Sequence, residues 1–140
     1  MASRLIKNLF GESDSLNLVA GSPMTAVVVA SDHSIVWVEG DTLLPALGYA
    51  WPDEVIGEPV EMFLPENMRE SHKGWFDSWI NSPQERPLRE AQPMTVQHKD
   101  GTRLQVRIST RQLYLEDGER FGEKYAGKPF RAGIAYVIVL

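Results

Sequence analysis

The segment from Gly48 to Gly57 constrains the fold more than any other part of the sequence. Pro52 sets the backbone dihedral of a first helical turn, and Asp53 and Glu54 follow it where a helix N-terminus favours negative charge. Gly57 can take the left-handed conformation that ends a helix, so the two glycines bracket a helix of a single turn. Because one turn buries too little surface to be stable alone, we expect it to cap a larger unit.

The composition limits the class of protein and its partners. A chain of 140 residues is large enough for one domain with a core of its own. The net charge of −5, with no basic run, argues against nucleic acid or an anionic membrane as a partner. No apolar segment approaches the ~20 residues that span a bilayer, and residues 1–8 lack the apolar region of a signal peptide. We therefore expect a cytoplasmic protein.

The sequence lacks the residue patterns that are typical of enzyme active sites. The chain has no cysteine, which excludes disulfides, thiolate zinc sites and cysteine nucleophiles and is typical of a reducing compartment. It has no glycine-rich phosphate loop, no nucleophile elbow and no His-Glu metal-binding helix. The acidic group at residues 116–119 falls in a predicted solvated loop, so we interpret it as surface charge. We expect that the chain is not an enzyme.

Apolar periodicity predicts two strands, then helical pieces, then three strands. A short amphipathic helix and a polar linker precede them. The predicted elements are, in order, a helix over 3–10, strands over 24–30 and 35–38, helical segments over 41–47, 52–56, 58–63 and 65–80, and strands over 94–99, 104–115 and 132–140.

The last two strands carry further information. Apolar positions are even-numbered as far as Ile108 and odd-numbered at Leu113 and Leu115, which we interpret as a bulge near residues 110–112. Residues 132–140 are nearly all apolar, which is typical of a central strand that is buried on both faces.

The predicted elements make an α+β fold, in which a five-stranded antiparallel sheet has its helices inserted between strands two and three. This order and three motifs resemble those of PAS sensor domains. The motifs are the Gly-Tyr…Glu…Ile-Gly pattern of residues 48–57, the Leu-Pro…Arg…His pattern of residues 64–72, and Lys99-Asp100-Gly101. The resemblance divides the chain into an N-terminal helix and linker, residues 1–17, and a PAS domain, residues 18–140. It implies that helices and sheet enclose a cavity.

The longest predicted helix carries one apolar stripe, formed by Met68, His72, Trp75, Phe76 and Trp79. His72 should therefore point toward the sheet rather than into water. A neutral imidazole in an apolar pocket is a natural axial ligand for haem iron. The other interpretation is that His72 is a core or rim histidine that bonds a backbone carbonyl.

The spacing of Arg69 and His72 resembles the haem-binding helix of oxygen-sensing PAS domains of the FixL and Dos type. This resemblance implies haem b as a cofactor with His72 as the iron ligand. Those domains tend to carry a tyrosine where Trp75 stands here. Arg86 and Arg89 are the candidates for pairing with the propionates.

The aromatic side chains Trp75, Phe76 and Trp79 could stack a noncovalent flavin, or they could simply fill the core beneath the sheet. The covalent chromophore chemistry of the LOV and photoactive yellow protein classes requires a cysteine and is excluded.

Other charged residues are predicted to lie at the surface. His33 in a hairpin turn and His98 near a strand end have no metal ligand at suitable spacing, so we expect both to be exposed. Arg103, Arg107 and Arg111 share one side of a strand, where they could bind an anion or pair with acidic side chains.

The amphipathic segment over residues 3–10 either covers an open face of the sheet or pairs with a second copy of the chain, as N-terminal helices that flank PAS domains commonly do. A helix this short is marginal in water and must dock on something. We therefore predict a homodimer.

Two functions follow from the resemblance. The first is a sensory domain for signal transduction, which binds a small ligand or cofactor in its cavity and relays its state through dimer contacts or a downstream signalling protein. The second is a ligand-free module for protein–protein interaction or dimerisation. The resemblance leaves open whether the chain acts alone or as part of a larger sensor.

Overall fold

The computed structural model of the chain describes residues 23–82 and 91–140. Within these residues the chain forms a five-stranded antiparallel sheet, with helices between the second and third strands. The strands are β1 Met24–Ala30, β2 Ile35–Glu39, β3 Gln92–Gln97, β4 Arg103–Leu115 and β5 Phe130–Val139. The α-helices are α1 Leu43–Ala46 and α2 Glu66–Ile80, and 3₁₀ turns cover Pro52–Glu54, Val60–Phe63, Glu119–Phe121 and Glu123–Tyr125. The predicted N-terminal helix, the proposed boundary at residue 17, Arg86 and Arg89 all lie outside the described residues.

The strand order is β2-β1-β5-β4-β3, which places β5 at the centre of the sheet. Most residues of β5 are buried, on both faces. This confirms the prediction that the apolar C-terminal segment is a central strand. No helix in the two described ranges is long and apolar enough to span a lipid bilayer.

The short helical turn predicted between Gly48 and Gly57 is the 3₁₀ turn Pro52–Glu54. The Glu54 carboxylate accepts hydrogen bonds from the backbone N–H groups of Ala50 and Trp51, at 2.6 and 3.0 Å. Gly57 has φ +88°, and its N–H donates to the carbonyl of Ile35 in β2 at 2.7 Å. The turn therefore docks on the edge of the sheet, as expected for a cap.

The predicted bulge in β4 is wrong. The β4–β5 register is unbroken from Val106↔Val139 to Leu115↔Phe130. The apolar positions change parity because β4 contributes to two cores. Its first half packs its even-numbered residues against the inner core, and its second half packs odd-numbered residues into a cluster on the opposite face.

This second cluster, called here the outer cluster, is built around Leu113, Phe130, Ile134 and Tyr136. The loop of residues 116–129 between β4 and β5, called here the C-terminal loop, covers this cluster. Phe121 and Tyr125 of the loop lie against Phe130 at ring centroid distances of 4.9 and 5.1 Å. The inner core lies on the other face of the sheet, beneath α1 and α2, and includes Val27, Leu47, Phe76 and Val106.

The outer cluster should contribute directly to stability. Leu113 is only 6% exposed, so Leu113→Ala should lower the free energy of unfolding by about 2–4 kcal/mol through lost burial and a residual cavity. Urea unfolding followed by circular dichroism measures this change. Arg107→Ala, at an exposed position of the same strand, is the control and should change it by less than about 0.5 kcal/mol. Equal effects of the two substitutions would contradict the assignment of Leu113 to a second core.

Candidate functional site

A cavity of about 100 Å³ lies between the helical segments and the inner face of the sheet. Its helical wall includes His72 and Trp75 of α2 and Val60 and Phe63 of the neighbouring 3₁₀ turn. The sheet contributes apolar side chains from four strands. These are Val27, Met94, Val96, Ile108, Ala135 and Val137. His72 and Thr110 also belong to the lining, but the surface that faces the cavity is almost entirely apolar.

The predicted stripe on α2 is split between three environments. His72 is 16% exposed at its side chain and lines the cavity together with Trp75. Phe76 is buried in the inner core, and Met68 packs partly buried against it. Trp75 is 40% exposed, so it separates the cavity from solvent instead of filling the core.

The two tryptophans of α2 form a stacked pair at the surface end of the cavity wall. Their ring centroids are 5.4 Å apart and the rings are within 11° of parallel. Trp79 lies directly over β5, where a Cβ on Gly133 would come within 2.7 Å of its ring. The side chain of Gln112 donates to the carbonyl of Trp79 at 2.7 Å. These contacts fix Trp79, and Trp79 in turn supports Trp75.

His72 belongs to a hydrogen-bonded group of four side chains, called here the Glu61 cluster. Its members are His33, Glu61, His72 and Asp77. Glu61 Oε2 lies 2.6 Å from His72 Nδ1 and 3.0 Å from His33 Nδ1. Glu61 is 2% exposed, and its other carboxylate oxygen is buried without a hydrogen-bond partner among the described residues. The two imidazoles therefore provide most of the compensation for a buried carboxylate.

His33 bridges two carboxylates. Its Nδ1 faces Glu61, and its Nε2 lies 2.7 Å from Asp77 Oδ1. Between two ionised carboxylates, which can only accept, both ring nitrogens donate only if the ring is an imidazolium. Burial lowers the pKa of His33, but the hydrogen bonds from Glu61 and Asp77 outweigh it and raise the pKa above its ordinary 6.5.

The expectation that His33 and His98 are exposed is wrong. The side chain of His33 is 15% exposed, since the hairpin turn of residues 31–34 packs on the 3₁₀ turn Val60–Phe63 and on α2. The backbone of His33 has φ +75°, in the left-handed region. His98 is 28% exposed and lies 2.9 Å from the carboxylate of Asp100.

The hairpin turn also contacts the C-terminal loop. Asp32 accepts hydrogen bonds from Lys124 Nζ at 2.6 Å and from the Tyr125 hydroxyl at 3.1 Å. Burial raises the pKa of Asp32, but its bonds with Lys124, Ser34 and Tyr125 outweigh that effect and lower the pKa to about 2. One four-residue turn is thus bonded to α2 through His33 and to the outer cluster's loop through Asp32.

Arg69, Arg103 and Arg107 do not line the cavity. Arg69 donates from its Nε to the carbonyl of Leu64 at 3.0 Å, so it fixes the start of α2. Arg103 and Arg107 are exposed on β4.

No family model matches the chain, and no curated protein matches it. Solved structures do match. The PAS domain of an HTR-like protein from Haloarcula marismortui has 18% identity and a TM-score of 0.54, covering 99% of this chain and 96% of that one.

Two further structures are similar. The PAS-B domain of Cycle from Drosophila melanogaster, with bound ethylene glycol, has 11% identity and a TM-score of 0.57 over 83% of this chain and 99% of that one. A PAS domain from a two-component sensor histidine kinase has 12% identity and a TM-score of 0.56 over 99% and 93%. The chain has the PAS fold. At identities this low, the similarity shows the fold and nothing about function.

Within the PAS fold, the described site does not fit a haem or a flavin. Pockets for cofactors run to about 300–1,000 Å³, whereas this cavity holds about 100 Å³. None of the described residues that line it is an arginine or lysine that could pair with a propionate. In the described ranges no group of three or more His, Asp or Glu side chains is arranged to hold a metal ion.

Sequence reasoning found His72 and missed the side chains that hold it. His33, Glu61 and Asp77 come from a turn, a 3₁₀ segment and a helix that are far apart in sequence. One local signal was present, because Glu61 is a single acid in the apolar run Val60-Glu61-Met62-Phe63-Leu64. If an isolated acid in such an apolar run is buried, it needs polar partners, which can come from other elements.

The charge of His33 makes stability depend on pH. A raised pKa in the folded state means that its contribution is complete below pH 6.5 and is lost as the pH rises through the folded value. His33→Asn keeps a residue that tolerates positive φ. The variant should therefore be less stable than the wild type at about pH 6, and the difference should shrink toward about pH 9.

Urea unfolding at a series of pH values, taken as the difference between variant and wild type, measures the effect of His33 and its bonded partners, because the titrations of distant groups cancel. A difference that stays constant with pH would contradict an imidazolium that bridges Glu61 and Asp77.

Proposed function

We propose that this chain is a sensory domain that binds a small, mainly apolar molecule in its internal cavity and relays binding to a partner. The observation that carries the proposal is the cavity between α2 and the sheet, with His72 and Thr110 in an apolar lining. Apolar pockets with a few placed polar groups are typical of small-molecule sites. The similar structures from a sensor histidine kinase and with bound ethylene glycol support the proposal by analogy.

The cavity volume sets the size of the ligand. An engineered apolar cavity of about 150 Å³ holds benzene. At about 100 Å³, this cavity suits a molecule of roughly four to six heavy atoms. We therefore expect weak binding, with a dissociation constant on the order of millimolar.

The relay begins at His72, which belongs both to the cavity wall and to the Glu61 cluster. A ligand that moves His72 changes its bond to Glu61 and so the bond from Glu61 to His33. His33 and Asp32 connect this change to α2 and to the C-terminal loop. Binding can bias this network only by as much as its affinity differs between the two arrangements.

The proposed output is a contact with a second copy of the chain or with a downstream signalling protein. The amphipathic sequence of residues 3–10 supports a homodimer.

A second function is a ligand-free interaction module. The observation that favours it is the small volume of the cavity, about 100 Å³. In that case the sheet and helices serve as a docking surface and the cavity has no ligand.

Filling the cavity distinguishes the two functions. Ala135 of β5 lines the cavity, so Ala135→Leu should occupy its space and abolish binding of 2-butanol. Chemical-shift titration of amide and methyl signals should show saturable changes around the cavity in the wild type and none in the variant. Ala50→Leu, the same change at an exposed position, should bind like the wild type. No saturable change in the wild type would reject the cavity as a site for such ligands.

The homodimer has its own test. Deleting residues 1–10 should lower the sedimentation mass from dimer to monomer, because the deletion removes the apolar side chains of Leu5, Ile6, Leu9 and Phe10. Circular dichroism of the truncated protein checks that the PAS fold is retained. A wild type that sediments as a monomer, or a dimer that survives the deletion, would reject association through this segment.

A further inference from the structure

The three contacts of the Glu61 cluster need more hydrogens than its two histidines carry. The contacts join His33 Nδ1 and His72 Nδ1 to one oxygen of Glu61, at 3.0 and 2.6 Å, and His33 Nε2 to Asp77 Oδ1, at 2.7 Å. At these distances each nitrogen–oxygen pair needs a hydrogen between its two atoms, because lone pairs that face each other repel. Two neutral imidazoles bring one ring hydrogen each. The third hydrogen is an additional proton.

This count holds wherever the additional proton lies. On His33 it makes an imidazolium, and on Asp77 or Glu61 it makes a carboxyl group that donates to a ring nitrogen. If Glu61 donates to His72 Nδ1, the two contacts of His33 still need two hydrogens, of which a neutral ring supplies one. A second hydrogen on His72 would lie on Nε2 and serve none of the three contacts. The cluster with all its contacts made therefore holds at least one proton beyond those of two neutral rings and two ionised carboxylates.

Loss of this proton opens the contact at Asp77. A neutral His33 has one hydrogen for two carboxylates. Glu61 is 2% exposed and depends on partners within the protein, whereas the side chain of Asp77 is 60% exposed, so water can replace His33 there. The single hydrogen therefore stays on Nδ1, toward Glu61. The lone pair of Nε2 then faces the carboxylate of Asp77 and is repelled by it.

The opened contact is the one that attaches the hairpin turn to α2. On its other side the turn bonds the 3₁₀ segment, because the carbonyl of His33 accepts from the backbone N–H of Val60 at 2.9 Å. The groups that surround the ring of His33 are those of α2, the 3₁₀ segment and the turn itself. They are His72, Phe76 and Asp77, then Glu61, then Asp32 with its partners Lys124 and Tyr125.

We propose that the Glu61 cluster is a proton-binding site that makes this domain sensitive to pH, because the bound proton fastens the hairpin turn of residues 31–34 to α2 and its loss releases the turn from Asp77. This goes beyond the proposed function, since it needs no ligand in the cavity. Burial lowers the pKa of His33, but the bonds to Glu61 and Asp77 raise it above 6.5. The fastened state is therefore complete below pH 6.5 and is lost as the pH rises through the folded value.

The proton is located first, in the full-length wild type. Long-range nitrogen–hydrogen correlation spectra report the hydrogens on both rings, and the side-chain carboxyl carbon signals report a proton on Glu61 or Asp77. We expect at least one additional proton in the cluster at about pH 6 and its loss in a titration with a midpoint above 6.5. Two neutral rings between two ionised carboxylates at about pH 6 would overturn the proposal.

Release of the turn is measured by hydrogen exchange at the backbone amide of Val60, corrected for the intrinsic pH dependence of exchange. Its protection should fall about three- to tenfold between about pH 6 and about pH 9, which is the effect of one net hydrogen bond on local opening. Protection that does not change with pH would show that the proton fastens nothing, and the proposal would fail.

Asp77→Asn tests the contact itself. The amide of asparagine can donate to Nε2 of a neutral His33, so the contact survives loss of the proton and the protection of Val60 should no longer depend on pH. Glu70→Gln is the matched control, because it removes one negative charge from the same helix at a side chain that is 92% exposed. It should keep the fall of the wild type. A fall that persists in Asp77→Asn, or one that disappears in both variants, would overturn the proposal.

Discussion

The buried carboxylate of Glu61 is the constraint around which the site is organised. Burying an unpaired carboxylate costs several kcal/mol, and this cost is avoided only if partners are brought to it. Here the partners come from two separate elements, His33 from the hairpin turn and His72 from α2. The 3₁₀ turn that carries Glu61 is thereby clamped between them. Removing either histidine leaves the buried carboxylate with one partner fewer, so the three elements hold their arrangement together.

The hairpin turn of residues 31–34 supplies both His33 and Asp32, so it connects α2 to the C-terminal loop. Asp32 is more exposed than Glu61, at 35% of its side chain, so its ion pair with Lys124 contributes little free energy by itself. Its significance is geometric. It attaches the C-terminal loop, which covers the outer cluster, to the turn that is bonded to the cavity wall. The cavity wall on one face of the sheet and the C-terminal loop on the other are therefore connected around the edge of the sheet as well as through it.

The sequence predicted those features that depend on local patterns. The strands, the cap at residues 48–57 and the central position of β5 follow from periodicity and turn residues within short windows, and the structure confirms them. The predicted bulge in β4 was wrong because alternation along one strand cannot show that a second core begins on its other face. His33 was misjudged for a related reason. Its partners lie 28 and 44 residues away, and no short-range pattern reports such pairs.

The Glu61 cluster also explains how a cavity this small could matter to the whole domain. A ligand of a few heavy atoms has only a few kcal/mol of binding free energy, which is far too little to rearrange a close-packed core. It is comparable, however, to the free energy that separates two hydrogen-bonding states of an imidazole beside a buried carboxylate. A weak ligand can therefore bias the domain only where such a polar group already meets the cavity wall. In the described part of the chain, His72 is the side chain that belongs both to that wall and to the Glu61 cluster.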